Sequence, residues 1–599
     1  MEDEEPTVDP RVSPAPATDA AAALLGALIA RGVRHVVLSP GSRSQALALV
    51  AAELERRGHI RLHVRIDERV AGFTALGIGR ETRMPAAVIC TSGTAAANLH
   101  PAALEAHHAG VPLMLLTADR PPELRGVGAN QTTRQPGMFA WLTRFDADLP
   151  TPEETDPTGD GEQSTMLRDV ADEAVSAALG EGRRAAGPVH LNLPYREPLA
   201  GDFPGWLDSV AARAQVSAPV EDQTTHSGAL YQGGGGIGTE DRASDPDADP
   251  WVIVRGPRTV VIAGADAGAD AEELAHTGGW PLIAEVVSGA RYGRFLVHGY
   301  RGLLADPDFG GRIERVVVLG HPTLSREVAG LLSRTDVEVL AVRGPGEPLN
   351  LNGQTVAVDT VAVATGDADR EWLGGWMRAS RAASVDLTPP APDADGLAST
   401  EPSTRLGAIS AELGVIRAPL DRRTLVDAVW RATWPHDRVV FGSSRLVRVA
   451  DAVLGGKKIP VHANRGLAGI DGTIATATGI ALAARDAGVA GVTRVLLGDL
   501  AFLHDVGALH LPPEEDEPRL QVIVGNDGGG TIFDSLEVAG VAASQAMDRV
   551  LYTPHTVRLE QLALAYGWEY QRVTTRAALD QALTAPVGGR QLIEVPLPR

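Results

Sequence analysis

Short apolar runs, each closed by a polar or glycine-bearing tip, recur along this chain with longer helical stretches between them. In the first third the runs fall at 33–38, 62–66, 86–91, 112–117 and 189–193, after an Ala/Leu-rich helical segment that begins at Thr18 and reaches about Ala30. Their apolarity is continuous rather than alternating, which predicts strands buried on both faces. Strands that alternate with helices predict a parallel sheet layered by helices. The pattern returns at 259–263, 281–285, 315–319 and 337–342, and again at 438–441, 459–462, 495–497, 520–524 and 592–595. The expected fold class is therefore α/β, with three doubly wound parallel-sheet domains over 18–199, 251–383 and 413–599. Residues 1–17 read as a disordered tail. The Gly/Ser/Asp/Pro-rich stretches 200–250 and 384–412 read as linkers. Gly233 to Gly238 satisfies the letters of a dinucleotide-binding loop, but no buried strand precedes it and no helix follows, so it belongs to the first linker.

Composition narrows the function classes. Aromatic residues make up only 4% of 599 residues while hydrophobic ones reach 44%, so the cores are built from Ala, Val and Leu. The formal charge of −22 excludes a general nucleic-acid surface, which must be basic. It also requires any anionic substrate to be gripped by local cations against the overall field. Cys90 is the only cysteine, so neither an intrachain disulfide nor a cysteine zinc site can form. The acidic, Pro-rich N-terminus is unlike a signal peptide, and no apolar stretch reaches about 18 residues, the length of a membrane span. A cytoplasmic protein without membrane or nucleic-acid partners is expected.

The chemistry concentrates at 494–535. Two apolar runs end in Gly498-Asp499 and Gly525-Asn526-Asp527-Gly528, separated by the length of one strand–helix–strand crossover. Ligands collect at the carboxyl ends of parallel strands. A carboxylate and an amide oxygen there, beside glycines that admit backbone groups, suit a hard cation facing a phosphate. The same two positions also suit ordinary helix N-caps. In the first domain Glu68 stands where a strand ends and an Ala/Gly-rich helix begins, a position that equally suits a solvated helix start. His35, His63, His107 and His108 read as structural, and His504 and His510 match no metal spacing.

Seven segments together resemble one family: SPGSRS (39–44), DERVAGFTALG (67–77), TSGTAAANLHPA (91–102), LTADRPPELRGVGANQTTRQPGMF (116–139), NRGLAGIDGT (464–473), GDLAFLHDVGAL (498–509) and NDGGGTIF (526–533). They are similar to the 2-succinyl-5-enolpyruvyl-6-hydroxy-3-cyclohexene-1-carboxylate synthases of menaquinone biosynthesis, which are thiamine-diphosphate-dependent transferases. The resemblance implies an aminopyrimidine-binding first domain, a central Rossmann-like domain and a diphosphate-binding third domain. It implies decarboxylation of 2-oxoglutarate and a conjugate (Stetter-type) addition of the remaining succinyl unit to isochorismate.

Glu68 would be the catalytic carboxyl that activates the cofactor's aminopyrimidine, held in an apolar pocket with a raised pKa. Asp499, Asn526 and the Gly528 carbonyl would hold Mg²⁺ or Mn²⁺. Ser444, Gly498, Leu500, Ile532 and Phe533 would contact the cofactor, in a loop one residue longer than the family pattern. Substrate carboxylates would meet Ser42, Arg43, Arg120, Asn130, Gln131, Arg326, Ser444, Arg448 and Arg465, since both substrates are dicarboxylates and arginine grips carboxylates in pairs of bonds. The resemblance also implies a homodimer or homotetramer with active sites at the subunit interface. A simple 2-oxo-acid decarboxylase or an acetolactate-synthase-like enzyme would need fewer arginines.

Overall fold

The structure is a computed structural model that describes residues 14–181, 185–212 and 249–599. The first sheet contains β1 (His35–Leu38), β2 (Arg61–Val64), β3 (Ala86–Cys90), β4 (Leu113–Asp119), β5 (Phe145–Asp148) and β6 (Pro188–Pro194) in the order β2-β1-β3-β4-β6-β5. Every pairing is parallel. β3, β4 and β6 are buried along their whole length, as continuous apolar runs require. The polar β5, FDAD in sequence, gives no such signal and was not expected.

The central sheet runs β12-β11-β10-β8-β9, with β8 (Thr259–Ala263), β9 (Leu282–Ala284), β10 (Arg315–Leu319), β11 (Glu338–Val342) and β12 (Val356–Val358). A two-stranded ladder beside it pairs β7 (Trp251–Ile253) with β13 (Val361–Val363). The last sheet runs β15-β14-β16-β17-β19-β18, with β14 (Arg438–Phe441), β15 (Val461–His462), β16 (Thr493–Gly498), β17 (Leu520–Asn526), β18 (Glu569–Arg572) and β19 (Arg590–Pro596). Its register pairs Leu496 with Ile523 and Ile523 with Ile593, all fully buried. Each such side chain contributes roughly 1.5–3 kcal/mol by leaving water. In the first and last sheets the strand order reverses between two neighbours, β1/β3 and β14/β16, the place in an open parallel sheet where ligands collect at the carboxyl ends.

Two boundaries differ from expectation. The first helix is Pro16–Ala30, so it begins inside the stretch assigned to the tail: a proline at the first helical turn loses no hydrogen bond, and Ala17 is already buried. The second linker is largely helical, with Ala394–Ala398 capped by Asp393 and Pro402–Ile416 following. Leu406, Ile409, Leu413 and Ile416 remain exposed on that second helix, so it reads as a linker by composition although it is regular in backbone. Residues 1–13 of the tail and 213–248 of the first linker, including Gly233 to Gly238, lie outside the described residues. Among the described residues no helix is long and apolar enough to cross a membrane.

The chain divides into two compact units. The first holds β1 to β6 and takes in Leu511–Glu515 from far along the chain; the second holds the other sheets. Within the first unit Glu515 is bonded to residues at the end of β2. Its carboxylate accepts from the Val64 N–H at 2.7 Å and from Arg65 Nη1 at 2.8 Å, and lies 3.5 Å from His63 Nδ1. Arg65 is only 2% exposed. Burial opposes the Glu515 charge, yet His63 and Arg65 hold its carboxyl below the usual range.

Candidate active site

In the second unit three strand exits converge. β14 ends in Gly442-Ser443-Ser444, β16 in Gly498-Asp499, and β17 in Asn526 followed by a glycine loop. Asp499 opens the helix Asp499–His504 but is not its N-cap, and Asn526 is the last residue of its strand with no helix behind it. The N-cap alternative therefore fails at both positions. Ser444 does cap a helix, accepting from the Leu446 N–H at 3.2 Å.

Asp499 is 2% exposed. Its Oδ1 accepts from the Leu500 N–H at 2.8 Å, and its Oδ2 accepts from the Gly529 N–H at 2.8 Å and meets His555 Nε2 at 3.1 Å. Gly529 can do this only as glycine: its φ is +149°, and a Cβ would stand 2.4 Å from the Tyr552 carbonyl. Burial pushes the Asp499 carboxyl up, the nearby Asp527 charge pushes it further, and His555 and the Leu500 N–H oppose both. Asn526 donates through Nδ2 to Glu594 at 2.8 Å, which leaves its oxygen facing the glycine loop, where the Gly528 N–H donates to it at 3.1 Å. Glu594 is itself fixed by the Tyr570 hydroxyl at 2.6 Å. Asp527 is taken by Arg422 at 2.6 Å and by the Thr531 hydroxyl. Ile532 and Phe533 follow, half-buried, in the short turn Thr531–Ser535.

A buried carboxylate whose charge is disfavoured, an oriented amide oxygen and a loop of glycines form a donor set that fits a hard divalent cation and a phosphate group. Among the described residues no three His, Cys, Asp or Glu side chains gather into a metal cluster; the donors here are of the mixed kind. Sequence reasoning found Asp499 and Asn526 but not His555, Glu594, Tyr570 or Arg422. These lie at distant chain positions and touch the loop only through the tertiary fold.

The arginines separate into two groups. In the second unit Arg465, 8% exposed, donates through Nε to the Thr323 hydroxyl at 2.9 Å, through Nη2 to the Thr323 carbonyl at 3.2 Å, and through Nη1 to Ser443 at 3.3 Å. Loss of hydration pushes the Arg448 guanidinium below its ordinary value, and the charges of Arg301 and Arg326 add to that. Neither Arg326 nor Arg448 has an ion-pair partner among the described residues.

In the first unit Ser42 and Arg43 sit at the exit of β1, and Arg120, Asn130 and Gln131 beyond the exit of β4. Arg43 is buried and donates through Nη1 to the Tyr195 carbonyl at 3.0 Å. Arg120 donates to the Asn130 carbonyl at 3.1 Å and 3.2 Å. Gln131 exchanges hydrogen bonds with Ser92 at 2.8 Å and 3.0 Å from a backbone of φ +54°.

Glu68 is the first residue of the helix Glu68–Thr82, whose N-cap is the neighbouring Asp67. It is half-buried rather than enclosed, because Ile66 and Asp67 beside it are exposed. Burial first, then the Glu68 charge, pushes the Cys90 thiol up.

Residues 18–138 match the family model described as the thiamine pyrophosphate enzyme, N-terminal TPP binding domain. A protein of Leifsonia xyli subsp. xyli named 2-succinyl-5-enolpyruvyl-6-hydroxy-3-cyclohexene-1-carboxylate synthase is 52% identical over 604 aligned positions, covering 98% of this chain and 97% of that protein. One of the same name from Clavibacter michiganensis subsp. michiganensis is 51% identical, again covering 98% and 97%. Among solved structures, benzoylformate decarboxylase from Polynucleobacter necessarius superposes with a TM-score of 0.61 over 97% of this chain and 98% of that one. At 15% identity that likeness speaks to the α/β fold of thiamine-diphosphate enzymes alone.

Proposed function

The chain belongs to the family of 2-succinyl-5-enolpyruvyl-6-hydroxy-3-cyclohexene-1-carboxylate synthases, and from that premise we propose that it catalyses this family's reaction in menaquinone biosynthesis. It is a transferase that decarboxylates 2-oxoglutarate and adds the four-carbon unit that remains to isochorismate in a conjugate addition, with release of carbon dioxide. The observation that carries the reading is the near-full-length identity to two synthases of that name. Bound thiamine diphosphate supplies the nucleophilic carbon and the electron sink for decarboxylation.

The chain's own residues divide the remaining work. Asp499, Asn526 and the Gly528 carbonyl hold a Mg²⁺ or Mn²⁺ ion against the diphosphate, and Gly498, Leu500, Ser444, Ile532 and Phe533 line the cofactor. Glu68 holds a proton on the aminopyrimidine. Arg43, Arg120, Asn130, Gln131 and Ser42 in one unit, and Arg326, Arg448, Arg465 and Ser444 in the other, take the substrate carboxylates. The boundaries 18–199, 251–383 and 413–599 mark the aminopyrimidine, central and diphosphate domains, one per large sheet. The protein works in the cytoplasm as a homodimer or homotetramer with active sites at the subunit interface.

The test is to incubate the protein with thiamine diphosphate and Mg²⁺, first with 2-oxoglutarate and isochorismate and then with pyruvate alone. Product should form only with the first pair. Carbon dioxide from pyruvate alone would point instead to a simple 2-oxo-acid decarboxylase. Glu68→Gln should lower turnover by at least about a hundredfold, the low end for losing a proton-transfer group, while cofactor still binds. Unchanged turnover would remove Glu68 from the mechanism.

A further inference from the structure

None of the described residues placed at the cofactor site above belongs to the central sheet, yet one of its turns reaches the arginines. β10 leaves the sheet through Gly320, whose φ is +68° and whose Cβ, were there one, would stand 2.4 Å from the Ala265 carbonyl. A bridge between Ala265 and His321 fixes the exit. The turn that follows is held from beneath by Glu285, a fully buried carboxyl just beyond β9. It accepts from the Thr323 N–H at 3.0 Å and the Leu324 N–H at 2.7 Å. Thr323 then presents its hydroxyl and its carbonyl to one edge of Arg465, at 2.9 Å and 3.2 Å. Two bonds to one edge fix the plane of a guanidinium that would otherwise turn about a long flexible stem. They direct its Nη1 end toward Ser443, at the exit of β14. The same turn ends at Arg326, first residue of the helix Arg326–Leu332, which Ser325 caps.

We propose that Thr323 is a positioning residue for Arg465, and that Glu285 holds Thr323 in place, so that the central sheet acts in the reaction by orienting a substrate-binding arginine. This rests on the reading that Arg465 takes a substrate carboxylate. Neither Thr323 nor Glu285 meets substrate itself. Their effect passes through the orientation of the guanidinium, and therefore through affinity for one dicarboxylate more than through the chemical step.

Steady-state kinetics of the holoenzyme on Thr323→Val, Thr323→Ser, Arg465→Ala and the double variant Thr323→Val/Arg465→Ala test the proposal, with KM measured separately for each substrate. Cofactor affinity, read from fluorescence quenching, and a thermal melt accompany each variant. Thr323→Val should raise KM for one dicarboxylate about tenfold, the loss of roughly one charge-assisted hydrogen bond, with kcat and cofactor affinity little changed. Thr323→Ser keeps the hydroxyl and should restore KM. The double variant should be no worse than Arg465→Ala, because a positioning residue has nothing left to position. If Arg465→Ala raises KM but Thr323→Val does not, or if the two changes simply add, the proposal is wrong while the assignment of Arg465 stands. If Arg465→Ala leaves both KM values unchanged, the assignment fails and the proposal falls with it. Should Thr323→Val melt early, Thr323→Ala replaces it under the same criteria.

Discussion

Glu285 and Asp499 show how differently two buried carboxyls can be used. Burial, then the charge of Asp451, pushes Glu285 up to about 8, against the pull of the Leu324 and Thr323 N–H groups and of Arg465. An unfolded glutamate ionises near about 4.3, so between there and about 8 the folded chain keeps a proton that the unfolded chain has released. Stability must then fall as pH rises through that window and level off above it. Glu285→Gln mimics the protonated form and retains an acceptor for the turn. Calorimetry from about pH 5 to pH 8 should show the wild-type melting temperature dropping steadily relative to the variant. A parallel decline in both proteins would show that Glu285 is not the group responsible. Asp499 and Asn526 were legible from their place at strand ends. Glu285 read only as the end of an apolar run, since nothing in sequence reports a carboxyl bonded to a turn that far along the chain.

Loops and edge strands are where structure departs from sequence pattern. The buried strands declared themselves through unbroken apolar runs; β5 and β18 are polar and partly exposed and lack that signal, whereas β7 and β13 are apolar runs of three residues that pair only with each other. The Pro/Asp/Ser composition around 384–412 hid two helices because each starts with the capping residue or proline that also marks a loop. The glycine loop after β17 was foreseen as a place for close backbone approach, but not which glycine matters. Its shape depends on the Tyr552 carbonyl and the Asp499 carboxylate at Gly529. Gly529→Ala should therefore displace the loop and break the Asp499 contact, weakening cofactor binding at least tenfold by fluorescence titration. Gly540→Ala, whose Cβ would enter open space, is the matched control. Equal affinity in the two variants would mean the loop tolerates the clash.

At the scale of the molecule, the feature least visible in sequence is the assignment of Leu511–Glu515 to the first unit. The surrounding acidic, Pro-rich run looks like any surface connection, and only the fold reveals that Glu515 enters a cluster with His63 and Arg65. Glu515→Ala leaves Arg65 without its carboxylate partner while still 2% exposed, a loss on the order of 3–5 kcal/mol for a buried pair broken on one side. Chemical denaturation should show it; a change below about 1 kcal/mol would mean the cluster is satisfied by water.

The same segment bears on how the gene can be handled. A charged, proline-bearing stretch between two strands is where an engineer would ordinarily cut a chain, graft a tag or open a circular permutant. Here five residues are on loan from one unit to the other, and lengthening the stretch by even one position would move Glu515 off its donors. Permissive sites for insertion should be sought elsewhere, and a transposon or tag-scanning library should return a gap across 511–515 despite a composition that promises tolerance.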